Sequence, residues 1–475
     1  VWKAPDAFGS LAERVRREQG PVAGADMERV GQGEPVVLTG QQPSLAGGPM
    51  FVWLKAWTAI AHAERASRIL GRPVHALFWI AGDDSDLLEV RSLRDPILRE
   101  TFDSHGSDVS GARQPAGAIP VSEEHREALA ASIAASWTDS VLPGLVRAAP
   151  DLSTLMRLCL RHWFGDRLLV VDAVWPETRR AALPAYRAFV RSASGVHGDL
   201  AVGIERARAA GLPTSIRTWP DRLRLFHLSE RGRNRVVADG DIWTDGAARW
   251  TDSDLQAELD RSPESFSHDV VSRPFAAETI FPVIAHVLGP GEFAYFACLG
   301  PLSSRLESPL APVLPRASAT LLPPGPWSLA REAGWDPVQE RPGSYRNLSD
   351  TLLASRTHGE GIWHKLWADA RADYLEILGD GLDPSELGGF SKRLEAFEVR
   401  WRLSRIRRSA NEHRDDLESL RRLVALSGEG GLQERLWSPW ALEHHLGDSS
   451  LLRRLEDVSD PLETRHVLWA AGGAP

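Results

Sequence analysis

Two short polar clusters hold residue types suited to a charged metabolite: Thr39-Gly40-Gln41-Gln42 and Gly82-Asp83-Asp84-Ser85-Asp86. Asp83, Asp84 and Asp86 can bind an amine or assist its proton transfer. Gln41 and Gln42 can hydrogen-bond a small polar ligand. Between the clusters lies Lys55. The chain has 55 Lys plus Arg, yet its only lysines are Lys3, Lys55, Lys365 and Lys392. A lysine kept inside an apolar segment points to a need for a compact, mobile ammonium, able to reach a phosphate or carboxylate. The alternative is a surface lysine whose stem lies along apolar residues while its head stays in water. Gly40, Gly47 and Gly48 would let backbone approach a ligand, or would serve only to make a tight turn. Further on, Glu292 and Tyr295 follow the turn Gly289-Pro290-Gly291, and Arg316 and Ser318 follow the short run Pro312 to Leu314. An arginine next to a hydroxyl suits a carboxylate or phosphate; a surface ion pair or a helix cap accounts for each of these residues taken alone.

The elements that must position these residues are legible around the two clusters. Val36-Val37-Leu38 is an apolar run of strand size that ends in the first cluster, and Val74 to Ile80 is a second that ends in the other. Between them Val52, Leu54, Trp57, Ile60 and Ala61 recur at helical spacing, with Pro49 at the start and Gly71 and Pro73 at the stop. Strand, glycine-bearing loop, helix and strand make a βαβ unit with parallel strands. In open α/β sheets ligands bind beyond the carboxyl ends of the strands, so both clusters should face one crevice. The N-terminus of the Pro49 helix should point there too and favour an anion.

Elsewhere the chain alternates in the same way. Helices are predicted around Leu11–Gln19, Glu123–Ser136, Leu152–Phe164 and Glu177–Ser192, with a Gly-rich link after the first. Arg167 to Val171 is a third buried strand, ending at Asp172. Residues 91–120 form a loop-rich excursion, and Arg217 to Trp250 an antiparallel hairpin inserted in the core. A Pro/Gly-rich linker, 324–345, precedes two helical stretches, Ser349–Leu378 and Pro384–Leu426, whose apolar spacing of three and four predicts an antiparallel coiled coil. Arg400, Arg402, Arg405, Arg407 and Arg408 band the second stretch, as a solvated face or a phosphate contact. The expected domains are a core over 1–345 with insertions near 91–165 and 217–260, a coiled coil over 346–427, and a segment 428–475 returning to the core.

Composition narrows the function classes. A net charge of −9 over 475 residues argues against a general nucleic-acid binder. Cys159 and Cys298 make neither a disulfide framework nor a metal-ligand spacing, which fits a reducing, cytoplasmic setting without a bound metal. Neither a signal-peptide pattern nor a membrane-length apolar run is found, and no membrane partner is expected. With no Walker loop, zinc spacing or serine elbow, the residues suit a transferase or ligase acting on small polar metabolites.

Five motifs occur in an order that resembles one family: TGQQ…GGP…K at 39–55, FWIAGDDSD at 78–86, GPGEFAY at 289–295, PRAS at 315–318 and, after the helical stretches, LQER at 432–435. The chain is similar to the cysteine ligase family of bacillithiol biosynthesis (BshC) over nearly its whole length. That resemblance implies a Rossmann-like core with connecting insertions and a coiled coil that makes a homodimer. It also implies a reaction joining cysteine to glucosaminyl-malate through an amide bond. It leaves the cofactor unknown, with ATP or ADP open. Where the family usually has Glu-Asp-His-Asp this chain has Asp83-Asp84-Ser85-Asp86, so the imidazole is missing. Pro43-Ser44, Phe51, Ala277-Glu278 and Cys298 also depart from the family pattern. Within this resemblance Lys55, Asp83, Asp84 and Asp86 are the catalytic candidates. The substrate-binding candidates are Thr39, Gly40, Gln41, Gln42, Gly47, Gly48, Glu292, Tyr295, Arg316 and Ser318. A diverged metabolite-binding or scaffold protein, dimerising through the coiled coil, is the alternative.

Overall fold

A computed structural model describes residues 2–105, 114–138, 140–322, 327–336, 343–356, 408–428, 432–458, 460–462 and 466–470, with isolated helical positions between 365 and 404. The chain divides into two compact units, Val1–Ala319 with Trp437–Val467, and Thr320–Leu436 with Leu468–Pro475.

The strands of the first unit, in chain order, are β1 (Val36–Gln41), β2 (His75–Ile80), β3 (Ser92–Asp95), β4 (Glu100–Asp103), β5 (Leu168–Asp172), β6 (Arg222–Ser229), β7 (Gly232–Asp239), β8 (Ile242–Thr244), β9 (Arg249–Trp250), β10 (Phe266–His268), β11 (Val283–Leu288) and β12 (Val313–Pro315). Five of them form one sheet in the order β12-β11-β1-β2-β5, and every neighbouring pair is parallel. The near-continuous burial of β1, β2 and β5 is that of parallel strands covered on both faces. The register sets Gln41 beside Ile80 and Ile80 beside Asp172, so three carboxyl ends lie in one row. The chain winds outward through β2 and β5, then returns to the other side of β1 with β11 and β12. This is the Rossmann strand order, and its direction reverses between β1 and β11.

Helix α1 (Phe8–Gln19) and helix α2 (Pro21–Gly31) cover one face, packing Leu11, Val15, Met27 and Val30 with Leu38, Leu77 and Val171. Residues 20–34, predicted as a link, are therefore mostly helix. Gly20 at φ +100° makes the corner and Pro21 starts α2, so the same residues that look like loop signals are the cap of one helix and the first turn of the next. Helix α3 (Met50–Leu70) joins β1 to β2 and is stopped by Gly71 in the left-handed conformation.

The insertion is larger than the predicted hairpin. It is a five-stranded antiparallel sheet in the order β10-β6-β7-β8-β9. Its edge strand β10 pairs Phe266 with His227 and His268 with Leu225. Three residues are too few to show a periodic pattern, so β10 leaves no strand signature. The excursion after β2 likewise contains the hairpin β3–β4, and the helix predicted over Glu177–Ser192 is two, Pro176–Ala181 and Leu183–Arg191, with Pro184 opening the second.

In the second unit, helices Tyr345–Arg356 and Arg414–Ser427 pack Leu348, Leu352, Leu420 and Val424 around Leu329, Ala330 and Trp335. Most of the predicted coiled coil and of its arginine band lies outside the described residues. Among the described residues no helix is long and apolar enough to cross a membrane.

Candidate active site

The reversal between β1 and β11 is tied together by Thr39, whose hydroxyl donates to the Val287 carbonyl at 2.8 Å. Gly40 allows β2 to lie close: a Cβ there would sit 2.4 Å from the Trp79 carbonyl oxygen. Lys55, in the second turn of α3, is 1 % exposed and so is not a surface lysine. Its Nζ lies 2.6 Å from the Gly40 carbonyl, 3.1 Å from Gln41 Oε1 and 2.6 Å from Glu292 Oε2. An ammonium has three protons, and these three acceptors use them. Lys55 therefore positions Gln41 and Glu292 and has no donor left for a ligand. Burial pushes its pKa below the ordinary lysine value against the pull of Glu292, with Arg273 and Arg316 adding to the lowering. The same Oε2 of Glu292 also accepts the Gly289 N–H at 2.9 Å.

Gln41 and Glu292 form one wall of a crevice of about 230 Å³, which Gln42, Asp83, Asp84, Arg233, His268 and Arg273 complete. Gln42 Nε2 donates to Asp84 Oδ2 at 2.8 Å, linking the two polar clusters. Asp83 is 2 % exposed, and its Oδ2 is 3.7 Å from both Arg233 Nη2 and His268 Nε2. That is beyond hydrogen-bond length. Among the described residues neither this oxygen nor either ring nitrogen of His268 has a hydrogen-bond partner. Buried polar groups are rarely left so, and such a set marks a place for a polar ligand atom or water. Arg233 itself is anchored, donating to Ser267 Oγ at 3.0 Å and to the His268 carbonyl at 2.6 Å. Burial raises the Asp83 pKa, but His268, Arg233, Arg179 and Arg273 outweigh it, and the carboxylate ends below its ordinary range. His268 is pushed down to about 4, mainly by burial.

This gives a pH prediction. The folded-state value of His268, about 4, lies below its ordinary 6.5. Between those values the unfolded chain binds more protons, so folding stability rises with pH through the window and is lost on acidification. The loss amounts to about 3 kcal/mol. Urea melts from pH 4 to 7 should show a shallower slope for His268→Gln than for the wild type; equal slopes would contradict the assignment.

A smaller cavity, about 40 Å³, adjoins the crevice through Arg273 and Glu292 and is also lined by Thr39, Trp79, His286 and Tyr295. Arg273 Nη2 donates to the Tyr295 hydroxyl at 2.7 Å, and burial raises the pKa of that phenol.

Other predicted residues do not line the crevice. Gly47 and Gly48 have φ of +77° and +88°, and a Cβ on Gly47 would stand 2.7 Å from Trp163 and 2.9 Å from Cys159. Both positions require glycine for their left-handed backbone, and Gly47 also for the close approach of the helix Leu152–Phe164, while Gly48 lies against Val52 and Ser44. At the N-terminus of α3 the Met50 N–H is taken up by the protein, donating to the Trp437 carbonyl at 2.7 Å. Asp86 precedes the four-residue helix Leu87–Val90 and does not line the crevice. Arg316 donates to the Ala317 carbonyl at 2.7 Å with its guanidinium 5.7 Å from the Phe51 ring. Ser318 Oγ is 2.7 Å from His466 Nδ1. Conversely, Arg233, His268 and Arg273 carry no sequence signal of a site role strong enough to single them out. The only hint for two of them is the charged run His268-Asp269 to Arg273-Pro274 within a polar region.

Behind the aspartates, Gly82 lies against the buried end of β5. A Cβ there would be 2.4 Å from both Asp172 Oδ1 and Ser153 Oγ. Asp172 is itself pushed up to about 6 by burial. Gly82→Ala should cost about 1–3 kcal/mol through overpacking and displace the aspartate loop. Chemical denaturation and kinetics would check it, and an alanine variant with wild-type stability and turnover would contradict it.

Comparison with known proteins places this geometry. A family model described as bacillithiol biosynthesis BshC, N-terminal Rossmann-like domain, matches residues 14–317. The chain is 32 % identical over 300 residues to "Putative cysteine ligase BshC" of Shouchella clausii, covering 61 % of this chain and 55 % of that protein. The protein of the same name from Koribacter versatilis is 31 % identical over 316 residues, 64 % of this chain and 58 % of its own length. These two matches thus span little more than half of each relative. The relative from Symbiobacterium thermophilum, with the same name again, is 30 % identical over 468 residues, 90 % of this chain and 82 % of its own. With the Rossmann strand order and the switch-point crevice carried by the matched segment, the chain belongs to the BshC family.

Proposed function

We propose that this chain is a cysteine ligase that joins cysteine to glucosaminyl-malate through an amide bond, the last step of bacillithiol biosynthesis. The name its relatives carry supports the cysteine. The observation that carries the reading is the crevice at the strand-order reversal. There a buried lysine locks a glutamine and a glutamate in place, in one crevice with a buried carboxylate oxygen and an imidazole that have no hydrogen-bond partner among the described residues. A carboxylate such as Asp83 suits the sugar amine, while Arg233 and Arg273 offer cations for the malate carboxylates. Gln41 and Gln42 can hydrogen-bond the sugar hydroxyls. A cytoplasmic homodimer, paired through the helical stretch of 346–427, completes the reading; the apolar spacing of that stretch supports it, and sedimentation equilibrium would test it.

The test of the activity is binding followed by turnover. Calorimetry with glucosaminyl-malate should give saturable heat that Arg273→Ala weakens about tenfold or more. Adding cysteine, with and without ATP and Mg²⁺, should then give bacillithiol detectable by mass spectrometry. Product only with ATP would make the enzyme a nucleotide-dependent ligase. Neither binding nor product would overturn the proposal.

A further inference from the structure

We infer that Asp83 and His268 form a proton-handling pair that seats the attacking amine, with His268 taking the amine's proton as the amide bond forms. The inference rests on the ligase reading for its reaction and on geometry for its residues. His268 stands on β10, an edge strand of the inserted antiparallel sheet, while Asp83 follows β2 of the parallel sheet. Two separately built sheets therefore converge on one point. The 3.7 Å between Asp83 Oδ2 and His268 Nε2 is too long for a direct hydrogen bond. It is spanned by one nitrogen about 2.9 Å from each. Both groups are buried and line the crevice, and among the described residues Asp83 Oδ2 and both ring nitrogens of His268 lack a hydrogen-bond partner.

A primary amine fits that gap. It has protons to give to both acceptors and a lone pair to direct at an acyl carbon. A carboxylate ligand does not fit, because Asp83 would repel it. The ring is held in place from two directions. Its edge meets the Trp79 ring at a centroid distance of 5.3 Å, and the Arg233 guanidinium pins its backbone carbonyl at 2.6 Å. The charged and titratable groups that act on it are Asp83 from the loop after β2, Arg233 from β7, and Asp269 and Arg273 from the segment that follows. With the ring neutral near pH 7, it is in the accepting form, and Asp83 stabilises the imidazolium once a proton arrives.

The step balances as follows. The nitrogen lone pair of the sugar amine forms a bond to the carboxyl carbon of cysteine, which a nucleoside triphosphate has converted to a mixed anhydride with phosphate or nucleotide. The bond from that carbon to the leaving oxygen breaks, and its electron pair departs with the phosphate or nucleotide. The proton lost by the nitrogen goes to His268 and from there to solvent.

The decisive variant is His268→Gln, which keeps a polar side chain and cannot take the proton. Its kcat should fall about 10²-fold or more, while KM for glucosaminyl-malate stays within about threefold because Asp83 still holds the amine. In His268→Ala, added imidazole should restore turnover, and substituted imidazoles should restore it in the order of their basicity, a dependence that mere filling of the hole would not give. A His268→Gln kcat within about threefold of wild type would overturn the inference and leave the ligase reading standing. A separate readout covers variants that fail to fold and a wild type that gives no product. Ring ¹⁵N resonances of His268 in the wild-type chain should shift on adding glucosaminyl-malate and stay in place with its N-acetyl derivative. No shift, or the same shift with both compounds, would overturn the pairing whatever the turnover.

Discussion

Asp83→Asn is expected to lower kcat by about 10²–10⁴-fold with the crevice otherwise in place. Asparagine has the shape of the aspartate but not its charge, and the charge acts in two ways here. In the proposed step it holds the amine, and it stabilises the protonated ring of His268, whose Nε2 is 3.7 Å away. The variant also leaves Arg179, Arg233 and Arg273 without the carboxylate that faces them. Because folding favours the ionised form of Asp83, neutralising it should also lower stability. Asp86→Asn is the matched control. Asp86 carries the same charge in the same loop but lies outside the crevice, so its kcat should stay within about threefold of wild type. Equal losses in the two variants would mean that the loop matters and the position of the charge does not.

Lys55→Met should have the second largest effect. Methionine fills much of the same space but leaves the Gly40 carbonyl, Gln41 Oε1 and Glu292 Oε2 without the ammonium that joins them. Breaking one side of a buried ion pair costs about 3–5 kcal/mol. Turnover should fall by about 10²-fold, the scale of a lost catalytic alignment, although Lys55 has no proton free for substrate. The double variant Lys55→Met with Glu292→Gln separates the two losses. It should recover part of the stability, since the uncompensated carboxylate is gone, and none of the turnover, since Gln41 is still unheld. Recovery of both would show that the lysine serves only to balance the charge of Glu292. Denaturant melts and steady-state kinetics on the same preparations would read both quantities.

How much of this was legible in the sequence follows from range. The βαβ unit was, because β1, α3 and β2 are adjacent in the chain and each carries its own periodicity and its own stop signals. The Gln42–Asp84 contact follows from that unit alone, since parallel neighbours in register bring their carboxyl ends together. Lys55 stands out through the rarity of lysine in this chain, but its role does not. Whether its ammonium faces a ligand or three protein acceptors depends on Glu292, more than two hundred residues further on. The imidazole is invisible from sequence. Ser85 stands where the resemblance expects a histidine, and His268 reaches the crevice from a three-residue edge strand that is fixed by pairing with β6, not by any pattern of its own. Gly47 and Gly48 are ambiguous in sequence for a related reason. Glycine before a helix reads alike whether a phosphate or a protein side chain fills the space, and here Trp163 stands against Gly47 and Val52 and Ser44 against Gly48.

The most direct measurement is turnover by the wild type and by Asp83→Asn in parallel, each given cysteine, glucosaminyl-malate, ATP and Mg²⁺, with bacillithiol quantified by mass spectrometry. If the crevice between β1 and β11 is the place of amide formation, the wild type makes bacillithiol and the folded asparagine variant makes about a hundredth as much or less. Bacillithiol formed equally by both would put the chemistry elsewhere in the chain, and its absence from the wild type would contradict the ligase assignment itself.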